Sequence, residues 1–229
     1  NLYMLGGKTT VKNLQATIPT TATGTVYNVC PYADTTEVVK SSTHIDNKGC
    51  IALGGNFAIT EDLTAPSGLE ILKDSKISID EDITVELTEG VFIIRDGSTL
   101  INNGTLNICQ NTSTTGIQGL LENKGTMTNT ATGSSYYLGL SATGCVINHE
   151  GAAWTVGGRL YNQGKIVNYG DFNQTYKYST YYYRLGKIYT TKELNLSSDP
   201  AAAINFSNPS YTSLYYPVNI EYPEYCVDG

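Results

Sequence analysis

The sequence predicts an all-β chain whose middle winds as a parallel β-solenoid, and two observations predict it. The first is composition. The 229 residues include 30 Thr, 19 Asn, 18 Tyr and 23 Gly, and only 15% are charged, against about 25% in an average globular chain. Long helices favour Ala, Leu, Glu, Lys and Arg, whereas Thr, Tyr, Asn and Gly suit strands and turns. The second is a phrase that keeps returning between Thr99 and Gln174: a short apolar piece, an Asn, one spacer, a Gly, and a second short apolar piece.

The phrase appears as Leu100-Ile101-Asn102-Asn103-Gly104-Thr105-Leu106 and again as Leu121-Glu122-Asn123-Lys124-Gly125-Thr126-Met127. Val146-Ile147-Asn148-His149-Glu150-Gly151 carries one extra residue. Leu160-Tyr161-Asn162-Gln163-Gly164-Lys165-Ile166 is close to the pattern, and Ile166-Val167-Asn168-Tyr169-Gly170-Asp171-Phe172 follows at once. Gly104, Gly125, Gly151 and Gly170 are 21, 26 and 19 residues apart, with Gly164 as an additional half-step. Each coil of roughly 20 residues then holds two or three short strands, and each strand pairs with its equivalent in the next coil. The corners are Asn103 and Gly104, Asn123 and Gly125, Asn148 and Gly151, Asn162 and Gly164, and Asn168 and Gly170. Gly and Asn belong at such corners because both tolerate positive φ, and stacked Asn side chains can also bond to one another up the stack. Taken alone, Asn103-Gly104 between alternating apolar residues is equally a hairpin signal, so an antiparallel β-sandwich or jelly roll stands as the alternative.

Upstream, Leu69-Glu70-Ile71-Leu72, Lys76-Ile77-Ser78-Ile79, Ile83-Thr84-Val85-Glu86-Leu87 and Val91-Phe92-Ile93-Ile94 are β-rich pieces separated by Asp, Ser, Glu and Gly. They fit earlier coils, with alternate residues pointing inward. The organisation read from the chain is an N-terminal cap or extension over 1–62, the solenoid over 63–175, and a Tyr-rich C-terminal segment over 176–229 that acts as a cap or a subunit contact. A cap is expected because the end of a solenoid is otherwise an open sheet edge. Asp199-Pro200-Ala201-Ala202-Ala203 has the signals of one short helix start.

The phrases Ser98-Thr99-Leu100-Ile101-Asn102-Asn103-Gly104-Thr105-Leu106 and Leu160-Tyr161-Asn162-Gln163-Gly164-Lys165-Ile166 resemble the Asn-x-Gly-Thr-Ile repeats of microbial and viral β-helix surface proteins, such as adhesins, tailspike-like fibres and pectin-lyase-like solenoids. The resemblance covers roughly residues 65 to 175. It implies a right-handed parallel β-helix on an exterior surface and brings no catalytic residue, since no pectate lyase or polygalacturonase signature is matched.

Charge and chemistry narrow the function further. A formal charge of −7 removes the electrostatic basis for binding nucleic acid or anionic lipid. No stretch approaches the ~20 apolar residues of a membrane helix. The chain begins Asn1-Leu2-Tyr3 without Met or a basic leader, as a processed product or a fragment does. Five cysteines, Cys30, Cys50, Cys109, Cys145 and Cys226, leave at least one thiol free or paired with another chain if the compartment is oxidising; their connectivity is not legible. Five Asn-x-Ser/Thr sequons, at Asn103, Asn111, Asn173, Asn195 and Asn205, are no excess over the roughly four that this composition gives by chance.

The acidic run Asp80-Glu81-Asp82, followed by Glu86 and Glu89, is the one cluster able to supply paired carboxylates or calcium oxygens, yet it sits where a solvated turn between Ile79 and Ile83 is expected. His149-Glu150 occupies the expanded corner and reads as exposed. His44 and Asp46 precede Cys50 with no nucleophile placed beside them. The line Thr126, Thr128, Thr130 does not recur in every coil as a flat binding array requires, and Gly6-Gly7-Lys8-Thr9 lacks the earlier Gly of a phosphate loop. No cofactor or metal is implied. Tyrosine gives large contact area at low entropy cost, so Tyr181, Tyr182, Tyr183, Arg184, Tyr215 and Tyr216 form the candidate contact surface. The expectation is a non-enzymatic structural or adhesive protein of a cell surface or virion exterior, assembling with itself or meeting a glycan or host-surface partner. The alternative is a glycan-binding or glycan-cleaving β-helix.

Overall fold

The computed structural model describes residues 25–28, 38–39, 51–66, 68–109, 116–130, 137–175, 186–196, 213–216, 218–219 and 226. Every element longer than one described residue is a strand, and apart from the two nearest the N-terminus all pair in parallel. The sandwich alternative is therefore not the fold. Strands β10 (Thr99–Asn102) and β11 (Thr105–Ile108) flank the Asn103-Gly104 dipeptide without pairing to each other. Each pairs instead with strands one coil away, Leu100 opposite Ile77 and Leu121, and Leu106 opposite Val85 and Met127.

The coils have three faces, A, B and C. Face A carries β3 (Ile51–Gly54), β6 (Gly68–Ile71), β9 (Val91–Ile94), β14 (Tyr137–Leu140) and β17 (Arg159–Asn162). Single parallel bridges from Ile94 to Ile117 and from Ile117 to Leu140 join the third coil to the fifth. Face B runs through β4 (Asn56–Ile59), β7 (Lys76–Ile79), β10, β12 (Leu120–Asn123), β15 (Cys145–Asn148), β18 (Lys165–Asn168), β20 (Lys187–Thr190) and β21 (Ser213–Tyr215). Face C runs through β5 (Leu63–Ala65), β8 (Thr84–Leu87), β11, β13 (Thr126–Asn129), β16 (Ala153–Val156) and β19 (Asp171–Gln174). That makes about six three-faced turns. The stack starts at Ile51, inside the segment read as a cap, and continues past 175 through β20 and β21. The loose sequence before Leu63 concealed Phe57 and Ile59, whose buried alternation is as regular as that of later coils. At the N-terminal edge, β1 (Thr25–Asn28) pairs antiparallel with β3, and β2 (Val38–Val39) with β1.

Period-2 burial fills the interior. On face B, Ile77, Leu100, Leu121, Val146, Ile166 and Ile188 stack in register and are fully buried. On face C, Val85, Leu106, Met127, Trp154 and Phe172 do the same, with Trp154 and Phe172 edge to face at 5.1 Å. A parallel ladder repeats about every 4.8 Å, so each inward side chain touches its equivalents above and below, and one strand phrase serves many coils.

Candidate functional site

The corners between faces B and C hold an amide chain. Asn102, Asn123, Asn148 and Asn168 occupy one register position and are wholly buried. Each donates from Nδ2 to the next: Asn102 to Asn123 Oδ1 at 2.7 Å, Asn123 to Asn148 Oδ1 at 2.7 Å, and Asn148 to Asn168 Oδ1 at 2.8 Å. Asn168 ends the run by donating to Thr190 Oγ1 at 3.1 Å. The second Nδ2 proton of each goes to a backbone carbonyl just past the corner, of Thr126, Ala153, Asp171 and Gly170 in turn. Buried amides bonded head to tail polarise one another, and a slipped coil would break the chain, so the amides fix register.

Two readings from the sequence change here. In the third coil the amide-chain residue is Asn102, whereas Asn103 sits on the corner and donates to the Ile79 carbonyl at 3.0 Å. The doubled Asn hid this, since either fits the phrase; aligning Asn103 with Lys124 and Tyr169 separates them. The corner glycines also serve a different purpose. Among the described residues, Asp74 and Asp82 are the non-glycine residues with positive φ, and of the corner glycines only Gly151, at φ 81°, adopts it. A Cβ on Gly104 would collide with the carbonyl oxygens of Ile83 and Asp80, one on Gly125 with those of Gly104 and Asn103, and one on Gly170 with those of Ala152 and His149. The requirement is room for the preceding coil. Gly164 is no half-step of the same series: it stacks on Gly144 at the corner between faces A and B. Asn162 accordingly lies outside the amide chain, at the end of a face A strand, donating to the Lys187 carbonyl at 3.3 Å.

The acidic run forms the turn between β7 and β8, with Asp82 at φ 63°. His149 is not simply exposed: its Nε2 lies 3.0 Å from Glu122 Oε2 one coil earlier, and Lys124 Nζ is 3.4 Å from the same oxygen. The hydrogen bond from His149 lowers the Glu122 pKa, with the Lys124 charge assisting against burial. On face A, Glu70 is buried and meets Arg95 Nε at 2.6 Å, leaving Glu70 Oε2 without a partner. Among the described residues no group of three or more His, Cys, Asp or Glu is placed to hold a metal, and no helix is long and apolar enough to cross a membrane.

The three faces differ on the outside. Face C stays accessible along the stack through Thr84, Thr105 and Thr126 in one column and Asn107, Thr128, Thr155 and Asn173 in another. Thr84, Thr105 and Thr126 align over three coils, but that position then passes to Ala153 and Asp171, and Thr128 is matched by Thr only at Thr155, so the line of Thr126, Thr128 and Thr130 does not recur in every coil. Thr128 Oγ1 donates to Asn107 Oδ1 at 2.6 Å. On face B, Cys145, Ile147 and Val167 point outward yet are buried, packed with Leu120, Tyr169, Tyr189, Val218 and Cys226. Cys145 and Cys226 form a disulfide, a pairing that spacing could not reveal. Cys109 is a free thiol. Of the candidate contact surface, Tyr215 and Tyr216 are exposed at the end of the same face, with Tyr215 stacked on Tyr189 at 4.8 Å. Tyr181, Tyr182, Tyr183 and Arg184 lie outside the described residues, as do Cys30, Cys50, His44, the Gly6–Thr9 stretch and the helix start at Asp199. Comparison with protein-family profiles, curated proteins and solved structures finds no match to this chain.

Proposed function

We propose that the chain is a non-enzymatic structural or adhesive protein of an exterior surface, a stiff spacer in a surface fibre or a virion decoration that assembles through its ends. The observation that carries the reading is the continuity of the stack, whose coils share one filled interior and a buried amide chain from Asn102 to Thr190. Such a rod resists bending and slipping, which is what a spacer needs. The Cys145–Cys226 disulfide favours an oxidising, exterior setting. The carboxylates in ion pairs each face a cation rather than a second carboxylate across a sugar-sized gap.

A second reading, glycan binding, is favoured by one observation: the accessible Thr and Asn columns of face C, which offer hydroxyl and amide groups at a fixed repeat. Two measurements test the pair. Light scattering of the oxidised protein gives a mass above that of one chain if the assembly reading holds, and a single-chain mass overturns it. Incubation with acidic and neutral polysaccharides releases no reducing ends; release of sugar ends would replace the spacer with a hydrolase.

A further inference from the structure

Charge is unevenly placed along the stack. Among the described residues, ten acidic and three basic side chains fall between Ile51 and Cys109, against four acidic and five basic between Gly116 and Leu196. The excess negative charge of the described coils therefore lies in the earlier ones. On face B, Lys165, Lys187 and Ser213 follow one another in register in one outward column, and Lys187 and Ser213 are exposed. Two lysines one coil apart repel each other, since like charges on directly opposite positions weaken a sheet, and an anion laid across them offsets that cost. Two residues further along the same strands stand Tyr189 and Tyr215, roughly 7 Å from Lys187 and Ser213. Their rings stack at 4.8 Å with 16° between the planes. Stacking uses one ring face of Tyr215, and 39% of the residue stays exposed. An ammonium, a hydroxyl and an aromatic ring thus share one open strip at the last described coils of face B.

We infer that this strip binds an acidic polysaccharide of low charge density, a chain of pyranose rings bearing a carboxylate on some of them. The inference gives the adhesive reading above a ligand and rests on that reading. A pyranose presents a face of C–H bonds, whose hydrogens suit the negative π face of Tyr215. Its hydroxyls suit the Ser213 hydroxyl, and a carboxylate accepts charge-assisted hydrogen bonds from the Lys187 ammonium. An acidic peptide has the charge without the flat C–H face, and a neutral glycan has the face without the charge. Lysine and tyrosine side by side therefore select a ligand that has both. Dense sulfation brings more charge than two lysines can match, and the net charge of −7 on the chain repels it. The earlier coils lack the combination: Lys76 is exposed in the same column as Lys187, but Ser78 stands where Tyr189 does.

Biolayer interferometry of the full chain on immobilised hyaluronate, dextran and poly-glutamate at low ionic strength tests the inference. Hyaluronate is expected to bind about tenfold more tightly than either of the others. Lys187→Gln and Tyr215→Ala are each expected to weaken hyaluronate binding about tenfold, whereas Tyr215→Phe keeps the ring and the affinity, and Lys76→Gln leaves binding unchanged. Far-ultraviolet circular dichroism checks the fold, and the exposed Lys187 gives a readout that does not depend on the tyrosine variants folding. Hyaluronate bound no better than poly-glutamate, or bound alike by the Lys187→Gln and Lys76→Gln variants, overturns the inference while the adhesive reading stands. Dextran bound as tightly as hyaluronate also overturns it and moves glycan recognition to the uncharged columns of face C. Binding to none of the three overturns the inference and the adhesive reading together, and leaves the spacer reading to its light-scattering mass.

Discussion

Asn123 donates its Nδ2 to Asn148 Oδ1 across 2.7 Å between consecutive coils, with both side chains fully buried. An amide in a hydrocarbon interior is costly unless every polar atom is matched, so the pair couples two coils only in the correct register.

The first prediction follows from that coupling. Asn123→Ala removes the donors to Asn148 and to the Ala153 carbonyl and the acceptor for Asn102. Several groups are then buried without partners, for a loss of about 3 to 5 kcal/mol. Asn103→Ala, one corner away, gives up a half-buried bond to the Ile79 carbonyl and costs about 1 kcal/mol. Urea denaturation of the two variants separates them, and equal losses would remove the special standing of the buried amide chain.

Gly125 and Gly151 make a second contrast. A Cβ on Gly125 runs into the backbone of the coil before it, whereas Gly151 has nothing within 4 Å of an added Cβ and a φ of 81°. Gly151→Ala therefore pays only for left-handed backbone, about 1 kcal/mol, a fall in Tm of roughly 2 to 4 °C for a chain of this size. Gly125→Ala forces adjacent coils apart and costs several times as much. Calorimetry that finds the two variants equally stable would return the corner glycines to a conformational role.

These contrasts also mark how far the sequence could be followed. Recurrence of Asn and Gly at coil spacing was enough for the solenoid, because stacked coils impose the same demand at each turn. The phrase could not distinguish the corner after face B from the corner after face A, since Asn162-Gln163-Gly164 and Asn123-Lys124-Gly125 are alike in type and differ only in which strands they join. Nor could it reveal contacts between coils. Glu122 with His149 and Glu70 with Arg95 are 27 and 25 residues apart, and Cys145 and Cys226 are separated by 81. Such pairs depend on exact coil length, which insertions such as Glu150 alter, and on a chain end returning over a face.

Glu122 supplies a pH prediction. Its pKa is lowered in the folded chain, first by the hydrogen bond with His149. A carboxylate with a depressed folded pKa adds stability at pH above its unfolded value of 4.5, and that contribution disappears as pH falls through the folded value. Thermal unfolding followed from pH 6 down to pH 3 is expected to show a steeper loss for the wild-type chain than for Glu122→Gln. Parallel curves would mean that the contact contributes nothing to stability.

The last prediction concerns Glu70 and Arg95. The carboxylate side chain is 5% exposed, the guanidinium 36%, and the Nε to Oε1 distance is 2.6 Å. Breaking a buried pair from one side strands the other charge, which costs about 3 to 5 kcal/mol, while replacing both partners with apolar groups of similar volume is often near neutral. Arg95→Met is therefore expected to destabilise severely, since Glu70 already has one oxygen without a partner. Glu70→Leu is expected to be milder, because Arg95 can turn into solvent, and Glu70→Leu/Arg95→Met is expected to recover most of the loss. The cycle is read by urea denaturation. A double variant no better than Arg95→Met alone would show that face A depends on the bond between the two side chains rather than on avoiding a stranded carboxylate.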